Sequence, residues 1–210
     1  MMRPQITATR AMGILIVTMR LNRLSLLDQI VLALVAESPR HGFDVAENLA
    51  TDEALSLAVT VRRPLVYRAL DDLAAAGLIT VARREPGSRG ANRVVYRATP
   101  KGRRVNTTWL NSVVSHPRDA RIELLAKFAL RSRRGLPHQR LAAAQRRVFE
   151  PIAAALSRSP SGESPAAALV RRWRRESVTA MVALLADLEK NGAGGRRGAS
   201  RSRRTASAKG

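Results

Sequence analysis

The sequence predicts a mainly α-helical chain interrupted by one small β-hairpin, and three observations carry that expectation. Apolar residues make up 45% of the 210 positions, enough to bury a core, yet only three Phe, two Tyr and two Trp occur. The core must therefore be built from Leu, Val, Ile and Ala, a composition that favours helices. Second, apolar residues recur at helical spacing in most segments between positions 24 and 190. The main departure is the third observation: Leu78–Arg97, where two short strand-like runs flank the turn-forming Pro86-Gly87-Ser88-Arg89-Gly90.

Ser25, with Asp28 three positions later, has the form of a capping box, and Leu26, Leu27, Ile30, Val31, Leu34 and Val35 follow at helical spacing. They predict a first helix over Ser25–Glu37, ended by Ser38-Pro39-Arg40. His41-Gly42 opens a second helix through Phe43, Val45, Ala46 and Leu49. Leu55, Leu57 and Val59 then alternate with small or polar residues, which predicts a short strand. A third helix sets Val66, Ala69, Leu70 and Leu73 on one face and Pro64, Tyr67, Arg68 and Asp71 on the other, with Arg62 and Arg63 at its N-terminal end. Gly77 terminates it. Leu78–Arg84, with Ile79 and Val81 on one side, and Val94–Arg97 form the hairpin. Thr99 and Pro100 supply an N-cap and an N1 proline for a fourth helix to about Val114, with Val105, Trp109 and Val113 spaced by four. Beyond it the pattern is helical only. Arg118–Arg134 carries Ile122, Leu125, Ala126, Ala129 and Leu130 as one stripe; Pro137–Leu156, with a kink expected at Pro151, and Pro165–Lys190 complete the helical half.

Helix, helix, strand, helix, hairpin, helix is the order of a winged helix-turn-helix. Within it the runs LLDQIVLALVAESPRHGFDVAENL, VRRPLVYRALDDLAAAGLI and NRVVYRATPKGRR resemble the N-terminal domain of the PadR family of transcriptional regulators. Three signatures carry the resemblance: His41-Gly42-Phe43, Leu65-Val66-Tyr67-Arg68-Ala69-Leu70, and Tyr96-Arg97-Ala98-Thr99-Pro100-Lys101-Gly102. The family pattern departs at Arg62, Arg63 and Pro64, where it usually has a small cap residue and a glycine. RDARIELLAKFAL and RRWRRESVTAMVALLADLEK resemble the C-terminal helices of the longer members. The fold class is thus a winged helix-turn-helix domain with a small β-hairpin wing, followed by an all-helical dimerisation region. The expected divisions are an N-terminal extension, 1–23; a DNA-binding domain, 24–116; a helical dimerisation and effector region, 117–190; and a basic tail, 191–210. Both ends are expected to be disordered. The resemblance implies a homodimer on a palindromic double-stranded operator, a repressor rather than an activator, released by a small-molecule effector.

The charge distribution gives the candidate contact residues. The formal net charge is +21, which points to a polyanionic partner. Residues 24–61 hold Arg40 against six acids, whereas residues 62–104 hold eleven bases against Asp71, Asp72 and Glu85. The helix-tip residues Arg62, Arg63, Tyr67 and Arg68 are the candidates for base edges and phosphates; Arg83, Arg84, Arg89, Asn92 and Arg93 are those for the wing. Trp109 and Trp173 are the candidates for stacking an aromatic effector. The alternative reading is a non-specific architectural DNA-binding protein. With no Cys and three scattered His, neither thiol chemistry nor a protein-held metal is expected, and no catalytic arrangement or cofactor motif stands out. The apolar run Gly13–Val17 is too short for a membrane span, so no membrane partner and a cytoplasmic location are expected.

Overall fold

The computed structural model describes residues 24–86 and 93–191. The extension at 1–23, the tail beyond 191 and the wing tip with Arg89 and Asn92 lie outside the described residues. The chain forms two compact units. One takes in the described residues up to Ser112 together with Arg121–Leu130; the other comprises Val113–Ala120 and the described residues from Arg131 onward.

In the first unit, helix α1 (Leu26–Glu37) starts on the expected capping box. The Asp28 amide donates to Ser25 Oγ at 3.1 Å, and the Ser25 amide donates to Asp28 Oδ2 at 2.8 Å. Ile30 to Val35 are all buried, so this helix has no wet side along its middle. Arg40 folds back on its end, with Nε donating to the Leu34 carbonyl at 3.1 Å and the guanidinium pairing with Glu37, which satisfies a carbonyl the helix leaves open. Arg40–His41 is a two-residue strand, β1, and α2 (Gly42–Thr51) comes directly after it.

The expected strand at Leu55–Val59 is instead a short helix, α3 (Glu53–Ala58). Asp52 caps it by accepting from the Ala54 and Leu55 amides at 3.1 and 2.9 Å. Leu55 and Leu57 would share a face in a strand; in the helix they point nearly opposite ways, and Leu55 is fully buried while Leu57 is 86% exposed. The third strand of the sheet comes from β1, too short to leave a periodic signal.

Helix α4 (Arg63–Ala75) buries Val66, Ala69, Leu70 and Leu73, the face the spacing predicts. It closes at Gly77, whose φ of 66° is in the left-handed region, with the Leu78 amide donating to the Leu73 carbonyl at 2.9 Å. Strands β2 (Ile79–Glu85) and β3 (Arg93–Ala98) complete an antiparallel sheet of order β1-β3-β2. The chain then enters α5 (Pro100–Asn111) through a junction that accounts for the Thr99-to-Gly102 signature. Thr99 Oγ1 accepts from the Gly102 amide at 3.0 Å and lies within donating distance of the Gly77 and Leu78 carbonyls. Lys101 Nζ donates to the Ala76 carbonyl at 3.0 Å, capping α4. Gly102 is needed because a Cβ there would sit 2.0 Å from the Leu78 carbonyl oxygen.

Further on, the expected unbroken helix Arg118–Arg134 is three pieces: α6 (Pro117–Asp119), a π-helical turn (Ala120–Leu124) and α7 (Leu125–Arg133). The i→i+5 bonding of a π turn takes in an extra residue and rotates the residues before it relative to those after it. Ala120 and Leu124 are therefore buried, and Ile122 and Leu125, expected in the apolar stripe, are exposed. Gly135, φ 62°, ends α7.

In the second unit α8 (Gln139–Leu156) and α9 (Pro165–Asn191) pack along each other. Leu141, Ala142 and Phe149 on α8, and Val178 and Leu185 on α9, are buried. Pro151 lies within a continuous α8, on an exposed position. Buried Gln145 pairs with the backbone of Val114 in both directions, accepting from its amide at 2.6 Å and donating to its carbonyl at 2.7 Å.

The junction at α5 makes a testable difference between two glycines. Gly102→Ala drives a methyl group into backbone and is expected to cost about 3 kcal/mol. Gly77→Ala meets nothing within 4 Å and is expected to cost only the roughly 1–2 kcal/mol of left-handed strain. Urea denaturation of both variants checks the order.

Candidate nucleic-acid interface

Helix α4 exposes Arg62, Arg63, Tyr67 and Arg68 along its first turns. Arg62 is the N-cap, in an extended conformation and without a side-chain cap bond, and the first turn holds no acidic residue. Pro64 has no N–H and the Leu65 amide donates to the Arg62 carbonyl at 3.0 Å, so the positive potential at this end comes mainly from the arginines, with the helix dipole adding to it. Asp71 and Asp72 come only after two turns, and Arg68 Nε lies 3.9 Å from Asp72 Oδ2 with both groups well exposed, a contact of small energetic weight.

The start of α2 shapes this face. A Cβ on Gly42 would come within 2.6 Å of Tyr67 Cε1, so the glycine gives the Tyr67 ring its place. Phe43 lies under the Arg63 guanidinium, with Cζ 5.0 Å from the ring centroid. His41 turns the other way, toward the wing, with Nε2 3.1 Å from Glu85 Oε2. The junction of β1 and α2, His41-Gly42-Phe43, thus touches both α4 and the hairpin.

On the hairpin, β2 pairs with β3 through a bulge: Val81 lies opposite Tyr96 and Arg83 opposite Val95, leaving Ala82 without a cross-strand partner. Arg83 and Arg84 are consecutive and so point to opposite faces of the sheet. Arg83 shares a face with Glu85, and its Nε donates to the Glu85 carboxylate. That hydrogen bond is the main reason the Glu85 carboxyl is held below its ordinary range, with the nearby charges of Arg83, His41 and Arg93 acting the same way. Arg93 lies opposite Glu85 across the ladder. Among the described residues Arg84 makes no ion pair. The structure therefore brings Arg62, Arg63, Tyr67 and Arg68 onto the exposed side of the start of α4 and divides the described wing arginines, Arg83 and Arg93 on the face of Glu85 and Arg84 on the other; Arg89 and Asn92 lie outside the described residues. In the sequence Phe43 stands only as an apolar residue of the second helix and part of a signature, and Glu85 only as one of three acids, with neither placed against an arginine. Glu85 follows Arg83 by two, a same-face spacing on a strand, but only the strand boundaries reveal it.

The two tryptophans differ. Trp109 is buried; its Nε1 donates to Glu123 Oε1 at 3.2 Å, and the Lys127 ammonium stands 5.1 Å from its ring centroid. Lys127, itself fully buried, also pairs with Glu123 at 2.7 Å and donates to the Ser112 carbonyl and hydroxyl at 3.0 and 3.1 Å. Burial pushes its amine below the ordinary lysine value, and Glu123 opposes that shift. Trp173, on α9, is 72% exposed, beside exposed Leu169 and Val170. Of the neighbouring arginines, Arg171 is held by Glu163 through three hydrogen bonds of 2.7–2.9 Å, and Arg172 by Glu176. Among the described residues no three His, Asp or Glu side chains gather as a metal-binding group, and no helix is long and apolar enough to cross a membrane.

Residues 31–108 match the Transcriptional regulator PadR-like family. No curated protein matches the chain. Among solved structures, the crystal structure of Bacillus subtilis PadR in complex with operator DNA resembles it at 20% identity and a TM-score of 0.40, covering 78% of this chain and 97% of that one.

The buried cluster around Trp109 makes a stability prediction. Glu123→Gln leaves the Lys127 ammonium buried without its carboxylate and is expected to cost about 3 kcal/mol, whereas Lys127→Met, which removes the buried charge, is expected to cost much less. Because the Lys127 amine is less basic folded than unfolded, the unfolded chain holds more protons between the two values. Stability contributed by this group then rises with pH as the ordinary lysine value is approached, and the rise should be absent from Lys127→Met in denaturation curves taken across alkaline pH.

Proposed function

With a PadR-like domain at residues 31–108 as the premise, we propose that the chain is a sequence-specific, double-stranded DNA-binding regulator of transcription. It acts as a homodimeric repressor that a small-molecule effector releases. The observation that carries the reading is the exposed start of α4, where Arg62, Arg63 and Arg68 stand with Tyr67 and no carboxylate precedes Asp71. A helix end of this kind enters the major groove by its tip, because the two aspartates on the following turn repel phosphates. Wing residues Arg84 and Arg93, with Arg83, Arg89 and Asn92, add contacts to the backbone or the minor groove.

The homodimer is supported by α9, which leaves Leu169, Val170 and Trp173 exposed on adjacent turns, an apolar surface that a second copy would cover. Two recognition helices about 34 Å apart read successive major grooves of a palindrome. In this reading the effector binds among the helices beyond residue 100 and stacks on Trp173 only in a dimer arrangement that uncovers this ring, Trp109 being already enclosed. It weakens DNA binding by favouring a dimer with a different helix separation.

Competition between duplexes selected from a random pool and bulk DNA tests the reading: a specificity ratio above about 10³ at moderate salt is expected, and a ratio near one supports the non-specific architectural alternative. Arg84→Ala should weaken all duplexes alike and lower the salt slope by about one. Glu85→Gln, by releasing Arg83 from its carboxylate, should tighten binding and steepen that slope by about one. Trp173→Glu should shift the dimer toward monomer in sedimentation velocity and weaken binding to the selected palindrome.

A further inference from the structure

The arginines at the start of α4 are not equivalent, and the difference lies in what holds each guanidinium. Arg68 has a carboxylate within reach, Asp72 at 3.9 Å. At that distance, with both groups well exposed, the carboxylate forms no hydrogen bond and offsets the charge of Arg68 only weakly. Arg62 sits at the N-cap with an extended backbone and makes no ion pair among the described residues. Arg63 alone is held by an aromatic face, the Phe43 ring 5.0 Å from its Cζ. A ring attracts the guanidinium through its π face and, unlike a carboxylate, carries no charge to cancel and offers no in-plane acceptor to the N–H fork. Phe43 is itself 48% exposed, at the same surface as the side chain it supports.

An arginine held in this way keeps its charge and its N–H fork while losing part of its rotamer freedom before any partner arrives. In-plane donation by a fixed fork is what the O6 and N7 acceptors of guanine require in the major groove. Ordering the side chain in advance lowers the entropy lost on contact. A mobile, singly charged arginine gives phosphate affinity with little discrimination, whereas an aligned one discriminates.

Building on the regulator reading, we infer that Arg63 is the specificity-determining residue of the helix tip, reading a guanine in each half-site, and that Phe43 is a positioning residue acting through it. His41-Gly42-Phe43 then has a role beyond starting α2: Gly42 makes room for Tyr67, and Phe43 aligns Arg63.

The test uses the full chain and a pool of duplexes of random sequence, selected by the wild type, with affinity then measured on the winner with each base pair changed in turn. The wild type should prefer G·C at one position of each half-site by roughly 10-fold or more. Phe43→Leu, which keeps an apolar side chain but no ring, and Arg63→Lys, which keeps the charge but no fork, should both reduce that preference to about 2-fold at the same position. Their salt slopes should remain within about half a unit of the wild type. Phe43→Tyr should restore the preference, which a role in packing alone does not require. The inference is overturned if Phe43→Leu retains the wild-type preference, if it weakens every duplex equally without relaxing any position, or if Arg63→Lys leaves the guanine preference intact. A wild type that selects no motif fails differently: it removes the sequence-specific reading and this inference with it.

Discussion

Burial of α1 is the constraint on which the first unit depends. From Ile30 to Val35 six successive residues are excluded from water, so the helix must be surrounded, and α2, α4, α5 and β3 all pack on it. Each large side chain there contributes roughly 1.5–3 kcal/mol by leaving water. Surrounding elements are consequently not free to choose their faces. The apolar side of α4, Val66, Ala69, Leu70 and Leu73, goes inward, which leaves Arg63, Tyr67 and Arg68 on the outside. The charged surface is a consequence of where the apolar residues must go.

A second layer of constraint is polar and short-ranged. Thr99, Lys101 and Gly102 fasten α5 to the end of α4 and the start of β2, through hydrogen bonds to Ala76, Gly77 and Leu78 and a backbone approach only glycine permits. His41, Gly42 and Phe43 act at the other end, toward Glu85, Tyr67 and Arg63. These two triplets hold the helix and the wing to a common frame, so that each can present charge without relying on salt bridges between exposed groups, which contribute little. Glu85 moderates the arrangement by engaging Arg83, and strand alternation sends Arg84 to the opposite face.

Legibility followed the physics of each signal. Two helices with a full apolar stripe, α1 and α4, were readable because their period is written in sequence, together with the Ser25–Asp28 capping box that starts α1 and the Gly77 that stops α4. The segment at Leu55–Val59 was not: three apolar residues at alternate positions suit a strand, and only the Asp52 cap and a core that accepts Leu55 alone select a helix. The stripe at Ile122 and Leu125 failed for a related reason. A π turn changes the period in mid-helix, and nothing in residue type announces it.

The sequence by itself determined the composition of the core, the start of α1 and the stop of α4, the hairpin strands, and the concentration of positive charge between Arg62 and Arg104, since these depend on period, capping chemistry and formal charge, all of them local. Only the tertiary structure decided that Arg63 rests on Phe43, that Arg83 is engaged by Glu85, that β1 supplies the third strand, and that Trp109 closes over a buried Lys127 while Trp173 faces solvent. Those facts depend on which surfaces meet between segments remote in the chain, and contact of that kind is fixed by packing around α1 and along α8 and α9, not by the spacing of residues within any one segment.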